Sequence, residues 1–222
     1  MIFQTFDTVQ DFVGESVRLM LDICNGEEYR YLALAGGKTP VPVYRQFGKE
    51  IQDPSIIFLY QVDERYVPLY HVDANACMIY KQLVKEHEGA WADVYFFDTN
   101  QPIRGSLLEY RHALARVPDM RFDLMILGVG TDGHIASLFP YSSQLHDMDH
   151  TVMHTTTAHH FVHNRLTLGP QVILQAKKIL VLLQGEEKQP VYVELQAPTK
   201  RSDAFPAHLV QSHPDVTVHY VI

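Results

Sequence analysis

Gly128-Val129-Gly130-Thr131-Asp132-Gly133-His134 places a carboxylate and an imidazole two residues apart on a glycine-rich backbone. Imidazole titrates near neutrality, so His134 has the chemistry of a general base that takes a proton and later returns it. The glycines let a substrate approach the main chain closely. A lone histidine would equally suit a buried ring bonded to nearby backbone. The neighbouring carboxylate and the glycine-rich setting favour a catalytic role.

Other segments offer anion-binding chemistry. Gly36-Gly37-Lys38-Thr39-Pro40 leaves N–H groups free to cradle a phosphate, with Lys38 and the Thr39 hydroxyl as further donors. The spacing is not that of a P-loop, and a plain strand-to-helix turn explains the segment equally well alone. In Asp63-Glu64-Arg65, the guanidinium can grip a phosphate with a planar fork, or pair with Asp63 or Glu64. Arg165 and Lys188, taken singly, read as solvated surface charges.

Histidines 146, 150 and 154 recur every fourth residue, with 159, 160 and 163 beyond. On a helix the first three would share a face able to bind a transition metal. Thr151, Val152, Thr155, Thr156 and Thr157 favour extended structure, where that spacing fails. A His-rich loop and strand without a metal site is expected over residues 146–163.

The elements that must position these residues can be read from apolar runs separated by helical periodicity. Strands are expected over 31–35, 56–62, 94–97, 122–127, 178–183 and 216–221, the last closing the sheet. Helices are expected from Pro40, over 74–86, over 103–116, near Gln171 and over 186–195, with Arg165 to Leu168 as a loop. Alternating strands and helices predict a doubly wound, mainly parallel α/β sheet with helices on both faces. In such a sheet the loops after different strands meet at the carboxyl edge, where ligands bind.

Composition sets the outer limits. The 222 residues fit one α/β domain, 1–222, with 46% apolar and 20% charged content as in ordinary globular proteins. The net charge of -8 argues against nucleic acid as a partner, so an anionic ligand would need local cations or N–H groups. No apolar run spans a bilayer and no signal peptide is apparent at the first residues. Cys24 and Cys77 form no CxxC motif, which fits reduced thiols in the cytoplasm.

Taken together, 34–40, 62–68 and 127–140 resemble the 6-phosphogluconolactonase family, within the superfamily it shares with glucosamine-6-phosphate isomerase. Arg165-Leu166-Thr167-Leu168, Gly185-Glu186-Glu187-Lys188 and, more weakly, Phe205-Pro206-Ala207 look like that family's later motifs, in order. The resemblance implies hydrolysis of 6-phospho-glucono-1,5-lactone to 6-phosphogluconate in the oxidative pentose phosphate pathway, with no cofactor and no required metal. It implies His134 as the base and Asp132 as its assistant. It implies substrate and phosphate contacts from Gly36, Gly37, Lys38, Thr39, Asp63, Arg65, Gly130, Arg165 and Lys188. The partner is then a small sugar-phosphate lactone, and the choice of monomer or homodimer stays open.

Two alternatives share the fold. Glucosamine-6-phosphate deaminases share Gly-x-Asp-Gly-His but place a catalytic glutamate five residues beyond the histidine, where this chain has Phe139. They also typically have Asp-Glu-Tyr where Asp63-Glu64-Arg65 stands. A non-catalytic sugar-phosphate-sensing module is the other alternative, disfavoured by the acidic balance and by the retained Asp132 and His134. The chain departs from the common lactonase pattern at Lys38, Ala74, Ile135 and Tyr141, none of which removes the proposed base.

Overall fold

The computed structural model describes Met1–Ile222. Seven parallel strands form the main sheet: β1 (Ile2–Phe6), β2 (Arg30–Leu34), β3 (Ile57–Gln61), β5 (Asp93–Tyr95), β6 (Leu124–Gly128), β9 (Ile179–Gln184) and β10 (Val216–Val221). Their order across the sheet is β1-β10-β9-β6-β2-β3-β5. Near-continuous apolar runs such as Leu124-Met125-Ile126-Leu127 are buried throughout, as parallel strands covered on both faces require.

Successive strand residues feed two cores. Leu32, Leu34, Leu59, Ile126 and Leu180 face one side, packed by α1 (Val9–Cys24), α2 (Val41–Glu50) and α3 (Asn75–Gln82). Ala33, Tyr60, Met125, Leu127 and Val181 face the other, with α4 (Ile103–Leu114), α5 (Pro170–Gln175) and α6 (Gln189–Gln196). The period-two alternation of a strand produces this division, and the doubly wound layering follows from it.

The expected elements are present, with informative differences. Val216–Val221 does not close the sheet; β1 pairs beyond it and forms the edge. Neither β1 nor α1 stood out in the sequence. The helix expected over 74–86 stops at Gln82 and continues as a 3₁₀ turn, and the segment from Glu186 begins as a 3₁₀ turn before α6.

The larger correction is a second, antiparallel sheet of β4 (Asp63–Arg65), β8 (Asn164–Leu168) and β7 (Val152–Thr156) in the order β4-β8-β7. Arg165 to Leu168 is therefore a strand, and Asp63 to Arg65 is a strand rather than a loop. Asp63 to Arg65 is too short and too polar for a period to declare itself, whereas Arg165-Leu166-Thr167-Leu168 does alternate polar and apolar residues, over four positions only. β7 agrees with the extended reading of the His-rich segment.

The chain builds outward from β2 to β3 and β5 on one side, and from β6 to β9, β10 and β1 on the other. Between β2 and β6 the direction of growth reverses. In open parallel sheets a crevice opens at such a point outside the carboxyl ends of the strands.

Candidate active site

At that reversal lies a cleft of about 240 Å³. The turn after β2 supplies Gly36, Gly37, Lys38 and Thr39, and the loop after β6 supplies Gly130 and His134. The second sheet brings Asp63, Arg65 and Arg165, and Lys188 comes from the turn after β9. Every ligand-contact residue expected from the sequence thus lines one cleft. Asp132 stands behind, bonded to His134.

His134 Nδ1 lies 2.6 Å from Asp132 Oδ1, which also accepts the His134 backbone N–H at 3.2 Å. An ionised carboxylate only accepts, so the proton of a neutral His134 ring sits on Nδ1 and Nε2 is left as the basic atom. Burial pushes the Asp132 carboxyl up. The hydrogen bonds and charge of His134, with a contact from His160, outweigh that and hold it well below the usual carboxylate range. Asp132 is thus an anion throughout the physiological pH range.

Gly130 makes this geometry possible. A Cβ there would fall 2.1 Å from His134 Nδ1 and 2.4 Å from Asp132 Oδ1, so any larger residue would displace the pair. Phe139, buried beneath, lies with its ring centroid 5.1 Å from that of His134. The Phe139 ring can neither give nor take a proton.

Four basic side chains, Lys38, Arg65, Arg165 and Lys188, line the cleft against one carboxylate, Asp63. The site is thus locally cationic in a chain of net charge -8. Arg65 does not pair with Asp63 or Glu64; its Nη1 donates to Asp73 O at 2.8 Å, and its buried Nε has no partner. Arg165 Nε donates to Val162 O at 2.9 Å. Burial, then the charge of Arg65, lowers the pKa of Arg165, although a guanidinium stays protonated at any physiological pH. Lys188 Nζ donates to Val129 O at 2.7 Å, and burial lowers its pKa against the pull of Glu187 and Asp132.

Asp63 is held in place by its own neighbours. Its Oδ2 accepts from Ser137 Oγ at 2.6 Å, and Asn75 Nδ2 donates to its carbonyl at 2.9 Å. Ser137 is buried and committed to this bond, so it cannot serve as a free nucleophile.

Sequence reasoning missed three contributors. Glu64, buried in full, accepts from Gln61 Nε2 and from the N–H groups of Arg65, Asn75 and Ala76 at 2.6–2.8 Å. It caps α3, whose preceding residue Ala74 has no capping side chain. Asp73 stands where a cap would be expected for a helix starting at 74, but the helix starts one residue later, at Asn75, and Glu64 supplies the cap instead.

Asn75 is the second. It stands so close to Gly36 that a Cβ there would fall 1.9 Å from its Oδ1, so the first loop packs directly on the side chain that bonds to Asp63 of the second sheet. The third is His160, for which no pattern in the sequence pointed to the dyad. Asp132, His134 and His160 each offer a ligand-type atom within 4.8 Å of the others, and are the side chains that could hold a metal ion. His146, His150 and His154 form no such group.

The sequence profile described as glucosamine-6-phosphate isomerases/6-phosphogluconolactonase matches residues 6–219. A 6-phosphogluconolactonase of Thermotoga maritima is 31% identical over 188 residues, covering 84% of each chain. One of Pseudomonas aeruginosa is 36% identical over 166 residues, covering 71% of this chain and 67% of that protein. The crystal structure of the Thermotoga maritima enzyme superposes with a TM-score of 0.87 at 29% identity, covering 99% of this chain and 98% of that one. No helix here is long and apolar enough to cross a membrane.

Proposed function

This chain belongs to the glucosamine-6-phosphate isomerase/6-phosphogluconolactonase family, and we propose that it hydrolyses 6-phospho-glucono-1,5-lactone with His134 as the base. The observation that carries this reading is the Asp132–His134 pair at the edge of a cleft lined by four cations.

His134 Nε2 takes a proton from a water molecule as the water oxygen bonds to the lactone carbonyl carbon. The carbonyl oxygen becomes an oxyanion, which needs nearby donors. As the tetrahedral species collapses, the bond from carbon to ring oxygen breaks, and His134 returns its proton to the departing oxygen. Water and lactone are thereby converted to the hydroxy acid, whose carboxyl group releases its proton to solvent to give 6-phosphogluconate, and His134 ends as it began. Asp132 keeps Nδ1 protonated and offsets the charge of the imidazolium between these two transfers.

The phosphate meets Arg65, Arg165, Lys188 and Lys38 together with the N–H groups of the Gly36-Gly37 turn. Held away from the reacting carbon, it supplies binding energy that fixes the lactone against the dyad. No side-chain nucleophile is required, in keeping with the commitment of Ser137 to Asp63. Deaminase chemistry would need a carboxyl group where Phe139 packs on His134.

The reading is tested by following freshly prepared 6-phosphogluconolactone, coupled to 6-phosphogluconate dehydrogenase, with spontaneous hydrolysis subtracted. A wild-type rate no greater than the spontaneous one would reject it. Ammonia release from glucosamine 6-phosphate would indicate the deaminase instead.

A further inference from the structure

Asp132 offers two carboxylate oxygens, and His134 accounts for only one of them. The other, Oδ2, faces His160, whose Nε2 is 3.4 Å away. The His160 ring also meets His134 edge-on, with centroids 5.0 Å apart, and packs against Phe139 at 5.4 Å. His134, His160 and Phe139 therefore form three mutually touching rings beside the Asp132 carboxylate.

The loop that carries His160 is tied down. It joins β7 to β8 and is closed at its base by Thr157 N donating to His163 O at 3.0 Å. The His163 ring, through Nδ1, bonds back to Thr157 O at 2.7 Å. Arg165 then fastens Val162 O from the neighbouring strand. The same short hairpin thus delivers a cleft guanidinium and a second imidazole to the dyad.

We propose that His160 is a positioning residue for the base: its Nε2–H donates to Asp132 Oδ2 and holds the carboxylate in the orientation that keeps His134 Nδ1 protonated. This rests on the lactonase reading with His134 as base.

The protonation states agree with it. Burial, then the positive charge of a protonated His134, lowers the pKa of His160, and Asp132 opposes this without reversing it. Nε2 is the His160 ring nitrogen that faces Asp132 Oδ2. The adjacent carboxylate determines that an N–H lies there. A carboxylate anchored by one oxygen can rotate about its Cβ–Cγ bond, whereas one anchored by both cannot. The second anchor thus restricts how far His134 can turn out of line.

Three variants separate hydrogen bonding from packing. His160→Ala removes donor and ring, His160→Phe keeps a ring without a donor, and His160→Gln keeps a donor without the ring. The measurements are kcat and KM for the lactone and the ring ¹⁵N chemical shifts of His134, with thermal melts to confirm folding. His160→Ala and His160→Phe should lower kcat about tenfold with KM within about twofold, the size expected for a lost charge-assisted hydrogen bond. His160→Gln should recover most of that loss. In the alanine and phenylalanine variants the His134 ¹⁵N shifts should move from the Nδ1–H tautomer toward a mixture.

Wild-type kcat in His160→Phe, or unchanged His134 shifts in His160→Ala, would overturn the proposal. A wild-type protein that turns over no lactone would remove the lactonase reading, while the ¹⁵N comparison would still decide what His160 does to His134.

Discussion

Arg65 and Arg165 are register partners across the antiparallel pair of β4 and β8, and both guanidiniums donate to backbone carbonyls rather than to carboxylates. Like charges directly opposed on a sheet are destabilising. They stand beside a cleft that also holds Lys38 and Lys188, and an anion bound there, as proposed, would offset their repulsion.

That relationship predicts ligand-dependent stability. Inorganic phosphate should raise the melting temperature, and saturation at a hundred times Kd is worth about 2.7 kcal/mol. For a chain of this size that corresponds to roughly 5–10 °C. Arg165→Met should lose more than half of the shift and raise KM by about tenfold or more, with a smaller effect on kcat. An unchanged phosphate shift in the variant would place the anion elsewhere in the cleft.

His134→Ala should reduce kcat by about 10²–10⁴-fold while leaving the melting temperature close to wild type, because the ring lies at the mouth of the cleft. The coupled lactone assay and a thermal melt check both halves. A variant with near wild-type turnover would show that another group activates water.

Asp132→Asn separates orientation from base chemistry. The amide keeps the shape but offers one donor and one acceptor where the carboxylate accepts only. If its NH₂ faces His134, Nδ1 must accept and the proton moves to Nε2, the atom that should be basic. A kcat loss of about 10²-fold or more is expected, with little change in KM. Since Asp132 is ionised throughout the working range, raising the pH should not restore the variant.

The sequence made the dyad and three of the cleft loops legible because each follows an apolar strand and carries glycine or charge. Asp132 and His134 needed only two residues of spacing. The second sheet was hidden for a physical reason. β4 has three residues, all charged, and its pairing with β8 spans about a hundred positions of chain. Period-two alternation cannot register over so short a polar run. The contacts of His160 and Asn75 are likewise set by tertiary packing, and no local pattern encodes them. Glu64 was half visible, as an acidic residue in a cluster whose partners turned out to be backbone N–H groups 11 and 12 residues downstream.

Chelation tests whether the cluster of Asp132, His134 and His160 is used by a metal during turnover. Asp132 Oδ1 is already engaged by His134 Nδ1 at 2.6 Å, and the proposed water chemistry runs through Nε2. Lactone hydrolysis should therefore survive exhaustive treatment with EDTA. A rate that falls with chelator and returns with a divalent ion would require a metal step instead.

Acid stability should be governed in part by a group far from the cleft. His219 on β10 is buried against α1, and its Nδ1 lies 2.8 Å from Ser16 Oγ. The Ser16 hydroxyl donates to Phe12 O at 2.7 Å, so toward His219 it accepts, and the ring donates from Nδ1. Burial lowers the His219 pKa from 6.5 to about 4; Glu15 opposes this, while Arg18 and Lys178 add to it. Below pH 6.5 the unfolded chain takes up a proton at this ring that the folded chain refuses until about pH 4. Stability is thus fully present above pH 6.5 and is lost progressively as the pH falls toward 4. At about 1.4 kcal/mol for each tenfold difference in proton affinity, the loss comes to about 3 kcal/mol. Urea melts from pH 7 to 4 should show this decline, and His219→Gln, which has no group titrating there, should flatten it. A slope equally steep in the variant would assign the acid sensitivity to other groups.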